Sequence, residues 1–210
     1  MSEAVSAAAQ RSAVEGLAAQ GNVDEALALG RSIAEAWYRC QALAAVAKRI
    51  SEPERQAAIL REAFAAADAT GERNRVVTVA AWPLKLLAQR DDRTWLEREV
   101  HRLLDVITPE PSAARRSDAL LYMLGALATA PQDLFLLVFD PFLAASRATA
   151  QRNKGESNIV QALPLLAQLI PECAADVAAA LRGPTLRARG VSAVAAAREG
   201  GAIPCSWPNI

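Results

Sequence analysis

Apolar residues recur along this chain at intervals of three and four residues, the spacing that lines one side of an α-helix. In the stretch NVDEALALGRSIAEAWYRCQALAAVAKRI, residues 22–50, the residues Leu43, Val46 and Ile50 form such a stripe. A second helix precedes it in the same stretch, and a helix of roughly three turns is marginal alone in water. The stretch therefore predicts a helical hairpin, in which each helix buries the apolar side of the other.

Glycines and prolines divide the rest of the chain into similar segments. Gly21, Gly71 and the pair at 200–201 are expected to end helices, and Pro141 is expected to break or restart one. The polar residues 151–157 predict a loop or a frayed helix end. The result is an all-α fold of about eleven helices. It forms a single helical domain over residues 1–201, followed by an extended tail over residues 202–210.

The apolar stripe returns in alternate helices, which indicates an internal repeat. Its leading residues are 36, 41 and 40 positions apart, and the four copies are Leu43/Val46/Ile50, Val79/Trp82/Leu86, Leu120/Met123/Leu127 and Val160/Leu163/Ala167. Near the start of the chain, the segment that begins at Arg11 aligns with the one that begins at Arg39, 28 residues later. A period of this size, with one helical hairpin per unit, is typical of a stacked α-solenoid.

The run AVEGLAAQGNVDEALALGRSIAEAWYRCQALAAVAKRI, residues 13–50, resembles the short, alanine- and leucine-rich tetratricopeptide-like repeats of bacterial proteins. In those repeats a "GRSI"-type helix end is followed by an "R-x-x-AL-A-x-VA" helix. The later units have longer periods and prolines inside helices, at Pro83 and Pro164, and they resemble HEAT repeats. The resemblance implies a right-handed superhelix of about five hairpins plus a capping helix, which serves as a binding platform. It implies no catalytic residues, because these repeat families have none in common.

Composition agrees with a helical protein and narrows the choice of partner. Alanine, which loses no side-chain entropy in a helix, fills 48 of the 210 positions. The chain has 23 basic and 23 acidic residues, so its formal net charge is zero. Proteins that bind nucleic acid through its phosphates usually carry a basic excess, and this balance argues against nucleic acid as the partner. The preference for arginine over lysine is typical of a GC-rich bacterial genome.

Cysteine and histidine usage argues against a metal site or a cofactor. Cys40, Cys173 and Cys205 are widely spaced, no CxxC pair occurs, and the chain has one histidine. The first residues lack the basic and apolar segments of a signal peptide. The most apolar run, residues 134–139, is too short to span a bilayer. We therefore expect a cytoplasmic protein without metal, cofactor or membrane span.

One helix carries the best candidates for a binding surface. Trp95 lies about one turn from Arg98, and His101 and Arg102 follow on the same helix. An aromatic ring flanked by guanidinium groups suits a peptide or a nucleobase. The alternative is a tryptophan half-buried against a neighbouring helix.

His101 also belongs to a row of polar residues with Glu97 and Asp105, at successive steps of four. Such a row could hold a divalent metal ion. The interpretation we prefer is a solvated helix face with stabilising polar pairs, and we assign no metal ligand.

Arginine recurs at one phase of the repeat, at Arg39, Arg75 and Arg116. A row of guanidinium groups suits carboxylates or phosphates. Acidic neighbours such as Glu35 favour the other interpretation, ion pairs between repeats. The aromatic residues just before Arg39 are expected to fill the corner between two helices.

Two further segments leave alternatives open. Residues 134–139 and 142–143 are apolar on every side of a helix, which means burial or an exposed patch that a partner or a second copy of the chain covers. We prefer burial, with homo-oligomerisation through residues 134–142 as the alternative. Trp207, in the tail, either docks on the last helix as a cap or belongs to a short linear motif.

The sequence favours a non-enzymatic scaffold that binds a protein or peptide on the concave face of a helical-repeat superhelix, with Trp95, Arg98, His101, Arg102 and Trp207 as binding candidates. No phosphate-binding loop, serine nucleophile motif or zinc signature is present. One alternative is a HEAT-like DNA-binding or DNA-repair protein, such as the alkylpurine DNA glycosylases with that fold, with Trp82 and Trp95 as its aromatics. Another is a small-molecule sensor, or an enzyme with an unmarked pocket.

Overall fold

The computed structural model describes residues 6–200, apart from the side chain of Arg152, and all regular structure in that part is α-helical. It contains eleven helices, the number that the sequence predicts. They are α1 (Ala7–Ala19), α2 (Val23–Ser32), α3 (Ala36–Ala47), α4 (Pro53–Asp68), α5 (Arg73–Leu87), α6 (Arg93–Ile107), α7 (Ala113–Ala126), α8 (Gln132–Ala148), α9 (Arg152–Leu169), α10 (Pro171–Ala179) and α11 (Pro184–Arg198).

Two of the predicted helix ends depend on glycine in the left-handed backbone region. Gly21 follows α1 with φ of 88°, and Gly71 follows α4 with φ of 80°. Residues with a Cβ rarely adopt this conformation, which lets the chain turn out of a helix within one residue. The predicted ends of α1 and α4 are confirmed.

The prediction that Pro141 breaks a helix is wrong, because α8 continues through it. A proline inside a helix leaves the carbonyl one turn earlier, here that of Leu137, without its usual donor. Leu137 is 38% exposed and Pro141 is also exposed, so this side of α8 faces solvent. A carbonyl freed on a solvent-facing side costs little, because a group open to water needs no partner within the chain.

The prediction of a loop over residues 151–157 is also wrong, since α9 begins at Arg152. Gly155 is buried where α9 passes the C-terminal end of α8. A Cβ at this position would lie 2.0 Å from the carbonyl oxygen of Ser146. Nearby, Lys154 pairs with Asp118 of α7 at 3.0 Å. Contacts with α7 and α8 therefore stabilise a helix start that the local sequence disfavours.

The helices form two layers. The odd-numbered helices, which we call the odd layer, pack each on the next, from α1 through α11. The even-numbered helices, the even layer, lie on one side of this row. Each of them packs against the odd-numbered helices beside it, except that α6 contacts α5 and α8. This arrangement gives every second helix an equivalent position.

The core lies between the two layers and includes the repeated apolar positions. Of the twelve residues in the four predicted copies, eleven are buried, from Leu43 in α3 to Ala167 in α9. The exception is Trp82 in α5, which is only partly buried. The predicted core positions of these four helices are thus confirmed except at Trp82, which places an aromatic ring at the edge of the core.

Ion pairs connect successive helices of the even layer. Between α2 and α4, Arg31 bonds Glu62 at 2.7 Å and Arg55 bonds Asp24. Arg102 of α6 bonds Asp68 of α4 at 2.7 Å, and Arg93 of α6 bonds Asp133 of α8 at 2.5 Å. Exposed pairs of this kind contribute about 0–1 kcal/mol each. They align neighbouring helices more than they stabilise the fold.

The recurring arginines of the odd layer mostly bond main-chain carbonyls rather than carboxylates. Three of them donate to a main-chain carbonyl six residues earlier, and these bonds are Arg39 to Ile33, Arg116 to Glu110 and Arg187 to Leu181. The prediction of ion pairs between repeats is therefore wrong for Arg39 and Arg116. It is confirmed for Arg75, which lies 3.8 Å from Glu35. Arginine at this phase satisfies carbonyls left free near the end of the preceding helix.

The apolar run over residues 134–143 is largely buried, the outcome we preferred. Phe135 and Phe142 have no exposed surface, and Phe139 lies between them with ring centroids 6.1 and 6.0 Å away. Within residues 6–200, Leu137 and Val191 are the large apolar side chains that count as exposed. No helix in this part of the chain has both the length and the apolar character needed to cross a bilayer.

Cys40 gives a prediction about pH. Its thiol is fully buried and 3.4 Å from the carbonyl oxygen of Val79, and this burial raises the pKa of Cys40 well above its ordinary value of 9.0. The unfolded chain therefore loses the proton near pH 9, while the folded chain keeps it. The stabilisation is complete below that pH and is lost above it, at about 1.4 kcal/mol per pH unit.

We expect urea unfolding at about pH 8 and about pH 10 to show this loss of stability in the native sequence and in a Cys173→Ala variant. In Cys40→Ala the thiol is absent, so the fall of the unfolding free energy with rising pH should lack the part that this thiol causes. Equal slopes in all three proteins would contradict the assignment.

Candidate functional site

Trp95, the central residue of the predicted binding surface, lies on α6 and packs against α4. It is 5% exposed, and its ring meets the edge of Phe64 at 6.3 Å between centroids. Its indole nitrogen donates to Glu99 at 3.1 Å, and the guanidinium of Arg61 lies 5.0 Å from the ring. The ring is covered on several sides by its own chain, which leaves little of it for a ligand.

The charged members of this surface are engaged to different degrees. Arg102 bonds both Glu99 and Asp68 at 2.7 Å. Burial opposes the charge of its guanidinium, but these two carboxylates outweigh it and raise the pKa of Arg102. Arg98 and His101 are exposed on the same helix. Trp95, Arg98 and Arg102 line a shallow depression of about 210 Å³ between α4 and α6, and His101 is not among its lining residues.

The remaining predicted binding residue, Trp207, lies outside the described residues, as do the tail and the proposed cap. Glu97, which belongs to the polar row with His101, pairs with Arg93 at 2.8 Å. Within residues 6–200, no group of three or more histidine, cysteine or acidic side chains is placed to hold a metal ion.

A larger concavity lies on the odd layer, and the sequence did not identify it as a site. It has a volume of about 370 Å³ and spans four successive odd-numbered helices, α3, α5, α7 and α9; we call it the odd-layer groove. Aromatic, amide and charged side chains line it, and they are Trp37, Asn74, Arg75, Thr78, Asp118, Leu121, Tyr122, Lys154, Asn158 and Gln161.

Aromatic rings form two of its walls. Tyr122 of α7 stacks on Trp82 of α5, with centroids 6.0 Å apart and planes 19° from parallel. On α3, Trp37 lies under the guanidinium of Arg75 at 5.5 Å. Arg75 also faces Glu35 at 3.8 Å, a long and solvent-exposed pair. Rings held in this way present flat, partly apolar surfaces beside a positive charge.

The opposite side of the groove is polar and firmly positioned. Asp118 of α7 accepts from Asn158 of α9 at 2.8 Å and pairs with Lys154 at 3.0 Å. Behind them, Asn158 donates to Ser117 at 2.8 Å, and Ser117 meets Ser146 of α8 at 2.7 Å. Asn158, Ser117 and Ser146 are all buried. This chain of hydrogen bonds holds three helices in register and orients the groove's polar side chains.

Two buried polar atoms of α5 have no partner among the described residues. They are the amide oxygen of Asn74, which lines the groove, and the indole nitrogen of Trp82, which is not among the lining residues. A buried polar atom left without a hydrogen bond costs about 1–3 kcal/mol. Both atoms are closed off from solvent, so a ligand in the groove reaches neither of them without movement of the surrounding side chains.

A second cavity, of about 300 Å³, lies where α8, α9 and α10 meet. Its carboxylate, Glu156, accepts from the main-chain amides of Arg182 and Gly183 at 3.0 and 3.1 Å. These bonds cap the start of α11, so Glu156 has a structural role. The side chains that remain are too few to indicate a chemistry for this cavity.

Sequence reasoning missed the groove although one signal of it was present. Asn74, Thr78 and Trp82 are spaced by four residues along α5, so they share a helix face beside the apolar one. Such a polar and aromatic row on α5 is visible in the sequence. What the sequence does not show is that Tyr122 of α7 and Asn158 of α9 lie next to it.

The arrangement can bind and orient a ligand by stacking, hydrogen bonding and charge. No family model, no curated protein and no solved structure matches this chain.

Proposed function

We propose that this chain is an α-solenoid scaffold that binds a segment of a partner protein in the odd-layer groove. The regular alternation of two helical layers supports the solenoid, because stacked repeats bury a continuous core between them. A right-handed sense and about five hairpins plus a capping helix belong to the same proposal. So does a cytoplasmic location.

The observation that carries the proposal is the composition of the groove. Aromatic rings from α3 and α7 and amide side chains from α5 and α9 converge on one depression. Aromatic residues dominate the energetics of protein interfaces, and amides bond the main chain of an extended peptide. Trp82 departs from the repeat's core pattern and stacks on Tyr122, one of the lining residues.

The depression on α6 is the competing surface, since the sequence placed Trp95, Arg98, His101 and Arg102 there. Arg102 there already bonds Glu99 and Asp68, although its third guanidinium nitrogen, Nη2, is buried without a partner. The depression is also smaller and formed by two helices. We therefore prefer the odd-layer groove, and the experiment below compares the two surfaces directly.

The test is a selection from a displayed library of random peptides against three proteins: the native chain, a Gln161→Trp variant and an Arg98→Trp variant. The affinity of the enriched peptides for each protein is then measured. Gln161 is exposed in the groove and Arg98 is exposed on α6, so Gln161→Trp and Arg98→Trp each place one bulky ring on one surface without disturbing the core. We expect Gln161→Trp to weaken binding at least about ten-fold, or about 1.4 kcal/mol. Arg98→Trp should leave the affinity unchanged.

The reverse result, loss in Arg98→Trp alone, would move the site to α6. Failure of both variants to change binding, or a selection with no enriched peptide, would count against the proposal. A gel shift with duplex DNA at low salt tests the DNA-binding alternative, which predicts a salt-dependent complex.

A further inference from the structure

The zero net charge of the chain conceals a separation of charge between its two layers. The odd-numbered helices hold twelve Lys or Arg residues and three Asp or Glu residues, which is a net charge of +9. The even-numbered helices hold seven basic and twelve acidic residues, a net charge of −5. The connections and ends carry the remaining −4. The layer that forms the groove is therefore strongly positive.

Part of this charge lies in or near the groove. Arg75 and Lys154 line it from α5 and α9. Arg115 of α7 and Arg189 of α11 are exposed on the same layer. Other arginines, such as Arg39, bond main-chain carbonyls, which are not charged, so they still add to the field of the layer. Summed charge of one sign along a concave surface attracts a ligand of the opposite sign.

We infer that the segment bound in the odd-layer groove is an extended, acidic peptide, with Arg75 as the residue that meets its carboxylate. This inference rests on the proposed function. Arg75 is suited to the role because its present pair with Glu35 is long, at 3.8 Å, and both side chains are about half exposed. A shorter, bidentate bond to a peptide carboxylate can replace that pair.

The groove fits a peptide better than a nucleic acid. Asp118 lies inside it and offsets the charge of Lys154 at 3.0 Å. A nucleic acid strand carries one phosphate for about every 3.4 Å of its axis, and a carboxylate in its path repels it. A peptide needs few charges, and its main-chain amides match the exposed side-chain amide of Gln161 in the groove.

The length of the segment follows from the geometry of the layer. The groove crosses α3, α5, α7 and α9, and packed helices lie about 9 Å apart, so it extends over about 27 Å. An extended chain advances about 3.3 Å per residue, which corresponds to about eight residues. A peptide of this length with two or three acidic residues places one carboxylate at Arg75 and the others in the positive field of the odd layer.

The experiment is the sequencing of the peptides enriched by the native chain, by Arg75→Glu and by Arg98→Glu, an exposed arginine of the even layer. We expect Asp and Glu to be enriched several-fold with the native chain and with Arg98→Glu, and the enrichment to disappear with Arg75→Glu. The affinity of one enriched peptide should fall about ten-fold in Arg75→Glu and several-fold between about 50 mM and about 500 mM salt. Arg75→Lys should restore only part of it, because lysine keeps the positive charge but cannot form the bidentate bond.

Other outcomes overturn the inference in different ways. Enriched peptides that Gln161→Trp abolishes, but that lack acidic residues, would leave the peptide-binding groove intact and remove the acidic partner. Single-stranded DNA that competes as well as the acidic peptide would replace the peptide with a nucleic acid. Sedimentation that shows salt-sensitive self-association through the oppositely charged layers would identify a second copy of the chain as the occupant. The absence of any peptide sensitive to Gln161→Trp would remove the proposed function as well.

Discussion

Replacing Gly155 with alanine is expected to lower the melting temperature by about 10 °C, among the largest effects that one methyl group has in this chain. The added Cβ would lie 2.0 Å from the main-chain oxygen of Ser146 and 3.3 Å from the Cβ of Thr149. A main-chain atom of a packed helix cannot move aside as a flexible side chain can, so α8 and α9 must separate. Overpacking of this kind costs about 3 kcal/mol. In a chain of this length each kcal/mol lowers the melting temperature by about 2–4 °C.

Gly16→Ala is the matched control, because Gly16 lies inside α1 and a Cβ there meets nothing within 4 Å. The same substitution should stabilise the protein by about 0.5–1 kcal/mol, since alanine is the better helix former. Calorimetry or circular dichroism on the two variants measures both effects. If Gly155→Ala melts with or above the native chain, α9 does not pass α8 as closely as the structure shows.

The start of α9 shows which part of the fold could be predicted and which could not. The periodic apolar positions predicted eleven helices and the alternate-helix core, because helix formation and burial follow from spacing within one segment. Residues 151–157 carry no such periodicity. Their helix depends on contacts with α7 and α8, about 10 to 40 residues earlier in the chain. Nothing local distinguishes them from a loop.

The site was harder to predict than the fold because contacts between distant segments of the chain bring its residues together. Trp95 attracts notice because arginines surround it in sequence, but in the structure Glu99 and Phe64 enclose it. The groove draws its residues from four helices, and stacking of Trp82 on Tyr122 joins residues 40 positions apart. Adjacency of this kind appears only when the layers are known.

The distribution of charge between the layers is another property that the sequence alone does not show. Summed over the chain, 23 positive and 23 negative residues argue against an anionic partner. Assigned to their layers, the same residues give the groove side a strong positive excess, and the partner we infer is acidic. The net charge of the whole chain is zero, but the electrostatic field near a surface depends on where the charges lie. Salt screens charges beyond about 8–10 Å, so those on the far layer contribute little. In a helical fold built in layers, net charge is informative for each layer and not for the whole chain.

Replacing Phe142 with alanine is expected to destabilise the protein by about 3–5 kcal/mol, the usual loss for a fully buried phenylalanine. Phe142 has no exposed surface and packs on Phe139 in the part of α8 that follows Pro141. Leu137→Ala, at the 38% exposed position of the same helix, should cost less than about 1 kcal/mol. Urea unfolding of both variants gives the two free energies.

The comparison also decides between the two interpretations of the apolar run. If residues 134–142 join two copies of the chain, Leu137→Ala must weaken the dimer in sedimentation experiments, and the stability of the native chain must rise with protein concentration. If the run is part of the core, as its burial indicates, neither effect occurs and the loss in Phe142→Ala is independent of concentration. A large loss in Phe142→Ala beside a small one in Leu137→Ala would show that α8 turns its apolar side inward.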